Sequence, residues 1–504
     1  MRLRFLVVAL ALWVGALPAT ANPRPVAQVE SGRLVGTADG QVLAFRGIPY
    51  AAAPVGARRW RAPAAATAWT GVRDASHYGA ACPQPSDHKE AWAQVGATSE
   101  DCLFLNIWRP AHAGKYPVMV FLHGGGFTYG AAGVPLYDGA RLARRGVVVV
   151  TLNYRLGRLG FFAHPALSGE DPDGLLGNYG IMDQIAALRW VQRNVAAFGG
   201  DSGNVTLFGE SAGAGVVQLL MGTPAAAGLF HKAISESGAG GSVLLPIRGA
   251  AMSAEAVGVQ WAESIGLKDA TAEQLRALPV EKTIGRSFPF IDGRIAVASP
   301  GMPFSRGREA KIPLLIGANS NEATLTSNNA TTARRVLGER YDALLKAYAA
   351  ARPGVPLSAA STDLAEDALS ILPSLSIAVM HAANGAPAYS YYFNQVPANL
   401  RAGSAGTPHG GELEYLFGNP DAGSVWDDAD RAVSETMARY WVRFAQTGDP
   451  NDGRSPYWPR VEAGNMPAYL TIGSRTRSGT LSPIEQEVRN LARAASEPGW
   501  AAER

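Results

Sequence analysis

Two short runs in the chain hold residue types that can carry out acyl transfer. Gly209-Glu-Ser-Ala-Gly213 is a G-x-S-x-G pattern set between the apolar run 204–209 and the helix-like stretch 212–221. A serine in such a strand-to-helix turn occupies a strained, exposed position, and the flanking glycines let strand and helix approach closely. The pattern puts Ser211 beside the N-terminus of the following helix, where unpaired N–H groups favour negative charge. The Ala212 N–H can then point at the oxyanion formed when the serine attacks a carbonyl. His123-Gly-Gly-Gly-Phe127 closes the apolar run 117–122, upstream of the serine. Its glycines leave the N–H groups of Gly125 and Gly126 unobstructed as two further donors, and losing one such donor typically costs about 2.7–4 kcal/mol.

A serine hydroxyl needs a base to take its proton, and the base needs an acid to orient it. With the serine on such a turn the chain order is serine, acid, histidine. Only His231, His381 and His409 follow Ser211. His231 lies at the start of the next strand, too close to return to the serine. His381 lies in the helical stretch 376–384 and reads as a packed or surface residue. His409 sits in the loop Thr407-Pro-His-Gly-Gly411, and order and context place it ahead of His381. For the acid, Glu322 follows the apolar run 312–317, at the strand end where catalytic groups gather in open α/β sheets. Asp292, Glu309 and the cluster Asp427, Asp428 and Asp430 compete with it; a turn suits Asp292, and a helix N-terminus suits the cluster. Glu210, beside the serine, has two readings: negative potential near His409, or a buried carboxylate paired for structure. This constellation calls for no metal and no organic cofactor.

Positioning these groups takes a scaffold, and the chain supplies its pattern. Residues 117–123, 146–154, 204–209, 232–237, 312–317 and 387–393 read as strands, several apolar on both faces. Between and after them, 181–198, 212–221, 331–383 and 432–445 read as helical, with Ile185, Leu188, Val191 and Val195 at helical spacing. Such alternation indicates an α/β fold: a large, mostly parallel central sheet covered by helices on both sides. Residues 26–50 alternate apolar and polar around glycines, predicting a small N-terminal antiparallel sheet. Residues 51–100 read as mostly loop, and the 331–383 segment as a cap on the sheet. A single catalytic domain over 22–504 is the simplest organisation.

A formal net charge of +3 on 504 residues gives no global pull toward nucleic acid or anionic membrane. Arg2 and Arg4, an apolar run over 5–17 and Ala19-Thr20-Ala21 predict a secretory leader cleaved after Ala21. No later run is long and apolar enough for a membrane helix. In an exported chain, the two cysteines Cys82 and Cys102 read as a disulfide. Neither has a histidine at ligand spacing, which argues against a zinc site. Secretion or a periplasmic location follows from the leader.

Longer stretches resemble the type-B carboxylesterase and cholinesterase-like family of α/β-hydrolases. Residues 198–213 look like its nucleophile signature, and Glu100-Asp-Cys-Leu-Phe-Leu-Asn-Ile-Trp108 like its second signature. Phe45-Arg-Gly-Ile-Pro-Tyr50, Asn153-Tyr-Arg-Leu-Gly157, Gly177-Asn-Tyr-Gly180 with Asp183-Gln184, and residues 444–451 match as well. The resemblance implies a glutamate as the acid, here Glu322 in the G-x-N-x-x-E segment. It implies His409 as the base in the H-G-x-E-L segment, oxyanion donors at Gly125, Gly126 and Ala212, and a Cys82–Cys102 disulfide. The implied substrate is a small-molecule carboxylic ester, hydrolysed through an acyl-enzyme. Two rival readings are a catalytically idle binding or adhesion protein of the same superfamily, and the same chemistry turned on amides or carbamates.

Overall fold

The computed structural model describes residues 24–87, 94–170, 177–238, 244–325, 329–351, 353–463, 468–483 and 485–489. The expected leader lies outside these residues. Fourteen strands run along the described chain. They are β1 (Val26–Val29), β2 (Gly32–Val35), β3 (Thr37–Asp39), β4 (Val42–Pro49), β5 (Val72–Asp74), β6 (Phe104–Pro110) and β7 (Tyr116–Leu122). After these come β8 (Val148–Leu152), β9 (Gly200–Glu210), β10 (Lys232–Glu236), β11 (Leu314–Asn319), β12 (Ala388–Phe393), β13 (Ala468–Ile472) and β14 (Arg477–Thr480). Five helices matter most for the site: α1 (Tyr179–Asn194), α2 (Ala212–Met221), α3 (Leu372–Ala383), α4 (Glu412–Phe417) and α5 (Asp428–Thr447).

Eleven strands form one sheet in the order β14-β13-β12-β11-β10-β9-β7-β8-β6-β4-β3. The stretch from β13 to β8 is parallel throughout, and antiparallel strands finish both edges. Side-chain alternation explains why these runs are apolar on both faces. Val118, Val120 and Leu122 of β7 enter one core with Val205, Leu207, Leu314 and Ile316. Met119 and Phe121 point the other way, into a second core with Phe208, Ile234, Tyr391 and Trp441. Each fully buried side chain of this kind contributes roughly 1.5–3 kcal/mol. Helices α1, α2 and α3 supply the first core, and α5 the second. A reciprocal cap starts α5: Asp427 accepts from Asp430 N, and Asp430 from Asp427 N. Gly448 ends it at φ 79°.

The small N-terminal sheet differs from expectation. β1 and β2 pair antiparallel, but β5, from the stretch read as loop, joins β2 in parallel, so the sheet is mixed. Strands β3 and β4 leave it for the edge of the large sheet. Cys82 and Cys102 are disulfide-bonded with their Cα atoms 5.0 Å apart. The bridge spans a sequence separation of 20, and closing a loop of that size contributes about 3 kcal/mol. Among the described residues, no helix is long and apolar enough to cross a membrane.

The large sheet also fixes where chemistry can gather. β8 lies on one side of β7 and β9 on the other. Chain direction out of the sheet therefore diverges at the C-terminal ends of β7 and β9, and such a point opens a crevice. His123 follows β7 and Ser211 follows β9, so both motifs sit there.

Candidate active site

Ser211 stands between β9 and α2 with φ 55° and ψ −121°. A non-glycine residue in this region costs of order 1–3 kcal/mol and persists only where its surroundings hold it. Two main-chain bonds hold it: Ser211 N donates to Glu236 O at 2.9 Å, and Gly215 N donates to Ser211 O at 3.0 Å. The glycines have a steric reason. A Cβ on Gly213 would fall 2.0 Å from Leu122 O, and one on Gly209 would lie 2.8 Å from the same oxygen. The β9–α2 corner is pressed against the end of β7, where only backbone fits.

The loop after β7 lies on this corner. A Cβ built on Gly124 would sit 2.9 Å from Ser211 Cβ and 2.5 Å from a Glu210 carboxylate oxygen. Gly125 and Gly126 take φ of 94° and 58°, which side chains resist. Open space surrounds the Gly126 Cα on its side-chain side. Ala212 is the first residue of α2, so its N–H has no acceptor within the helix. His123 props the loop from beneath. Its ring stacks on Tyr154 with centroids 4.5 Å apart, and Nδ1 meets Gly124 O at 3.0 Å. Burial pushes its pKa down to about 4, against the Gly124 hydrogen bond, so it stays neutral.

Two further loops meet the corner. Glu322 follows β11, and one of its oxygens accepts Asn319 N–H at 2.8 Å. The other lies 2.5 Å from Nδ1 of His409. The loop carrying His409 is stitched to the β11 loop by Asn321 N to Thr407 O at 2.9 Å and by His409 N to Thr324 Oγ1 at 3.0 Å. The second ring nitrogen of His409, Nε2, is buried and takes no hydrogen bond from any described residue. It lies 3.1 Å from Oε1 of Glu210, the residue before Ser211.

Carboxyls crowd this imidazole. Burial works against a charge on His409, but Glu322 and Glu210, with Glu412 behind them, raise its pKa to about 10. Burial pushes Glu210 up to about 7, with His409 opposing and Glu322 assisting. Burial, with Glu210 and Glu322, lifts Glu412 to about 8. Glu236 lies under the serine turn and accepts Trp441 Nε1–H at 2.5 Å. Burial, helped by Glu412, pushes its carboxyl well above the usual range. Among the described residues, no group of three or more His, Cys, Asp or Glu is placed to hold a metal ion.

The structure therefore brings Ser211, Glu210, Glu322, His409 and the 124–126 loop to one corner. Its rivals are occupied elsewhere. His381 is fully buried between Glu309 and Ile312 O. Asp292 holds a turn through three backbone N–H groups, and Asp427 caps α5. Asn319, Glu236 and Glu412 complete the corner and were not singled out by sequence. Asn319 and Glu412 stand inside the G-x-N-x-x-E and H-G-x-E-L segments; a glutamate inside the apolar strand β10 is itself a signal.

Relatives match this arrangement over almost the whole chain. The profile described as the carboxylesterase family matches residues 23–491. Fumonisin B1 esterase of Sphingopyxis macrogoltabida is 36% identical over 489 residues, covering 91% of this chain and 88% of the relative. Para-nitrobenzyl esterase of Bacillus subtilis is 36% identical over 474 residues, covering 88% and 92%. Among solved structures, a PNB esterase superposes with a TM-score of 0.80 at 31% identity, covering 92% of this chain and 99% of that one. A carboxylesterase of Geobacillus stearothermophilus gives 0.79 at 34% identity, covering 94% and 100%. The chain belongs to the carboxylesterase family, with the α/β-hydrolase fold, and is a carboxylic-ester hydrolase.

Proposed function

We propose that this chain is an exported serine carboxylesterase, folded as one catalytic domain, that works through an acyl-enzyme on Ser211 with His409 as base and Glu322 as acid. One observation carries the reading. A histidine has one ring nitrogen fixed by a buried carboxylate and the other, buried and without a hydrogen bond among the described residues, beside the Ser211 turn.

The steps follow from that placement. Ser211 Oγ attacks the ester carbonyl carbon while His409 Nε2 takes its proton. The carbonyl oxygen becomes an oxyanion that the N–H groups of Gly125, Gly126 and Ala212 stabilise. The C–O bond to the alcohol then breaks, and His409 returns the proton to the leaving oxygen. Water repeats the sequence on the acyl-enzyme, freeing the acid and Ser211. Glu322 holds the imidazole in the tautomer with hydrogen on Nδ1 and stabilises the imidazolium that forms. Glu210 adds negative potential on the far side of the same ring.

The substrates are small to medium apolar esters; the names of the two relatives make fumonisin B1 and a p-nitrobenzyl ester useful members of a test panel. Export rests on the leader over 1–21 and the Cys82–Cys102 disulfide. Ser211→Ala should lower kcat on p-nitrophenyl esters by about a million-fold with the melting temperature preserved. An organophosphate should label Ser211 one-to-one in the unaltered enzyme. Undiminished turnover in Ser211→Ala would falsify the nucleophile. Absence of labelling would favour an idle scaffold, and faster turnover of matched amides than of esters would redirect the substrate class.

A further inference from the structure

Asn319 ends β11 and is fully buried. It touches both of the loops that meet at His409. Its backbone N–H donates to Oε1 of Glu322 at 2.8 Å, the oxygen that His409 does not use. Its side-chain amide donates to Pro408 O at 2.9 Å, one residue before His409. The same amide nitrogen donates to Oε2 of Glu412, which is also fully buried. The amide cannot be turned over, because the Pro408 carbonyl accepts and never donates. Both amide hydrogens are therefore committed, one to the loop of the base and one to Glu412.

From this geometry we infer that Asn319 is a positioning residue for the Glu322–His409 couple and that Glu412 is its anchor. The inference rests on the reading of Ser211, Glu322 and His409 given above. A carboxylate bonded through one oxygen can rotate about its terminal torsion; bonded through both, it presents a fixed oxygen to the imidazole. Asn319 N–H supplies the second bond from the end of a central strand. Its side chain ties the backbone just before His409 to the same strand end, so acid and base are referenced to one residue. Glu412 holds the amide in the plane this requires. Burial, with Glu210 and Glu322 nearby, raises the Glu412 carboxyl to about 8, and in either protonation state its Oε2 can accept the Asn319 amide hydrogen. Misplacing catalytic groups by about 1 Å costs on the order of a hundredfold.

The test compares purified full-length variants on a p-nitrophenyl ester, with Ser211 titrated by an organophosphate. The unaltered enzyme should label and turn over; if it does neither, the functional reading fails, independently of Asn319. Given an active enzyme, Asn319→Ala should lower kcat about a hundredfold with KM nearly unchanged and the folded fraction preserved. Asn319→Asp should do worse, because it sets a carboxylate against the Pro408 carbonyl and Glu412. Glu412→Leu should resemble Asn319→Ala, while Glu412→Gln, whose amide oxygen can accept the same hydrogen, should recover most of the rate. The double variant Asn319→Ala/Glu412→Leu should lose little more than either single one, as partners in one contact do. Wild-type kcat in Asn319→Ala or Glu412→Leu overturns the inference. So does a Glu412→Gln variant no better than Glu412→Leu. Should Asn319→Ala fail to fold, the two Glu412 variants carry the same decision.

Discussion

Among the described residues, the His381–Glu309 and His409–Glu322 pairs are of the same chemical kind and different use. His381 Nδ1 lies 3.0 Å from a Glu309 oxygen, and both side chains are 0% exposed. Its other nitrogen meets Ile312 O at 2.8 Å. The same Glu309 oxygen also accepts from Lys311 Nζ at 2.8 Å and Asn384 Nδ2 at 3.1 Å. Everything His381 can offer is spent on joining α3 to the segment entering β11. His409 makes the corresponding bond to Glu322 through Nδ1, yet its Nε2 has no hydrogen bond among the described residues. A carboxylate-bound imidazole is thus a structural part by default. It becomes a candidate base only where the second nitrogen is left for a substrate-side proton, beside a hydroxyl on a strained turn.

The comparison is broken most directly by removing each imidazole. His409→Ala should lower kcat by about a million-fold, since loss of the base costs as much as loss of the whole constellation. His381→Ala should leave kcat per labelled Ser211 close to wild type while destabilising the fold by roughly 3–5 kcal/mol, the cost of removing one partner of a buried pair. The contrast collapses if His381→Ala loses the activity and His409→Ala keeps it. A finer cut replaces each carboxylate by its amide. Glu322→Gln should reduce kcat by about ten-thousandfold, because the amide favours the wrong imidazole tautomer. Glu309→Gln should show its effect in the denaturation midpoint alone, by about 1–3 kcal/mol. A kinetic defect in Glu309→Gln would mean that the second pair is coupled to catalysis after all.

Much of this contrast is legible in the sequence, and the reasons for the remainder are physical. His409 stands in a Gly-rich loop after the last apolar strand but one, and His381 in a helical stretch, so order and context alone separate them. Ser211 and the 123–127 loop announce themselves because crowding demands glycines at fixed positions. The central strands announce themselves because burial on both faces removes polar residues. The parallel addition of β5 to β2 leaves no such mark: three residues, Val72–Asp74, pair through backbone groups that every residue carries. The carboxyls behind His409 are hidden for another reason. Glu236 is buried by Trp441, 205 residues further on, and Glu412 by Asn319, 93 residues before it. The local signals, a glutamate in an apolar strand and another in the H-G-x-E-L segment, do not say which partners bury them; that appears only when the sheet closes over them.

The smallest expected effect concerns what those carboxyls do to the ring they surround. Burial alone would lower the His409 pKa, yet Glu322, Glu210 and Glu412 raise it to about 10. As the proposed base, His409 must lose its proton before it can accept one from Ser211, so kcat/KM should climb as pH rises through the neutral and alkaline range, with an acid limb above the ordinary histidine value. Stability should run the opposite way. A histidine whose folded pKa exceeds its unfolded value near 6.5 contributes stability that is complete below that value and fades as pH rises toward about 10. Glu210→Gln removes one charge that holds the proton on, 3.1 Å from Nε2. It should move the acid limb of kcat/KM downward by up to about one pH unit, a change in interaction of about 1.4 kcal/mol, and flatten the loss of stability at high pH. The corresponding change at the other pair, Glu309→Gln, should leave the limb where it is. A limb that ignores Glu210→Gln would assign that carboxylate to structure and leave Glu322 as the charge that matters to the base.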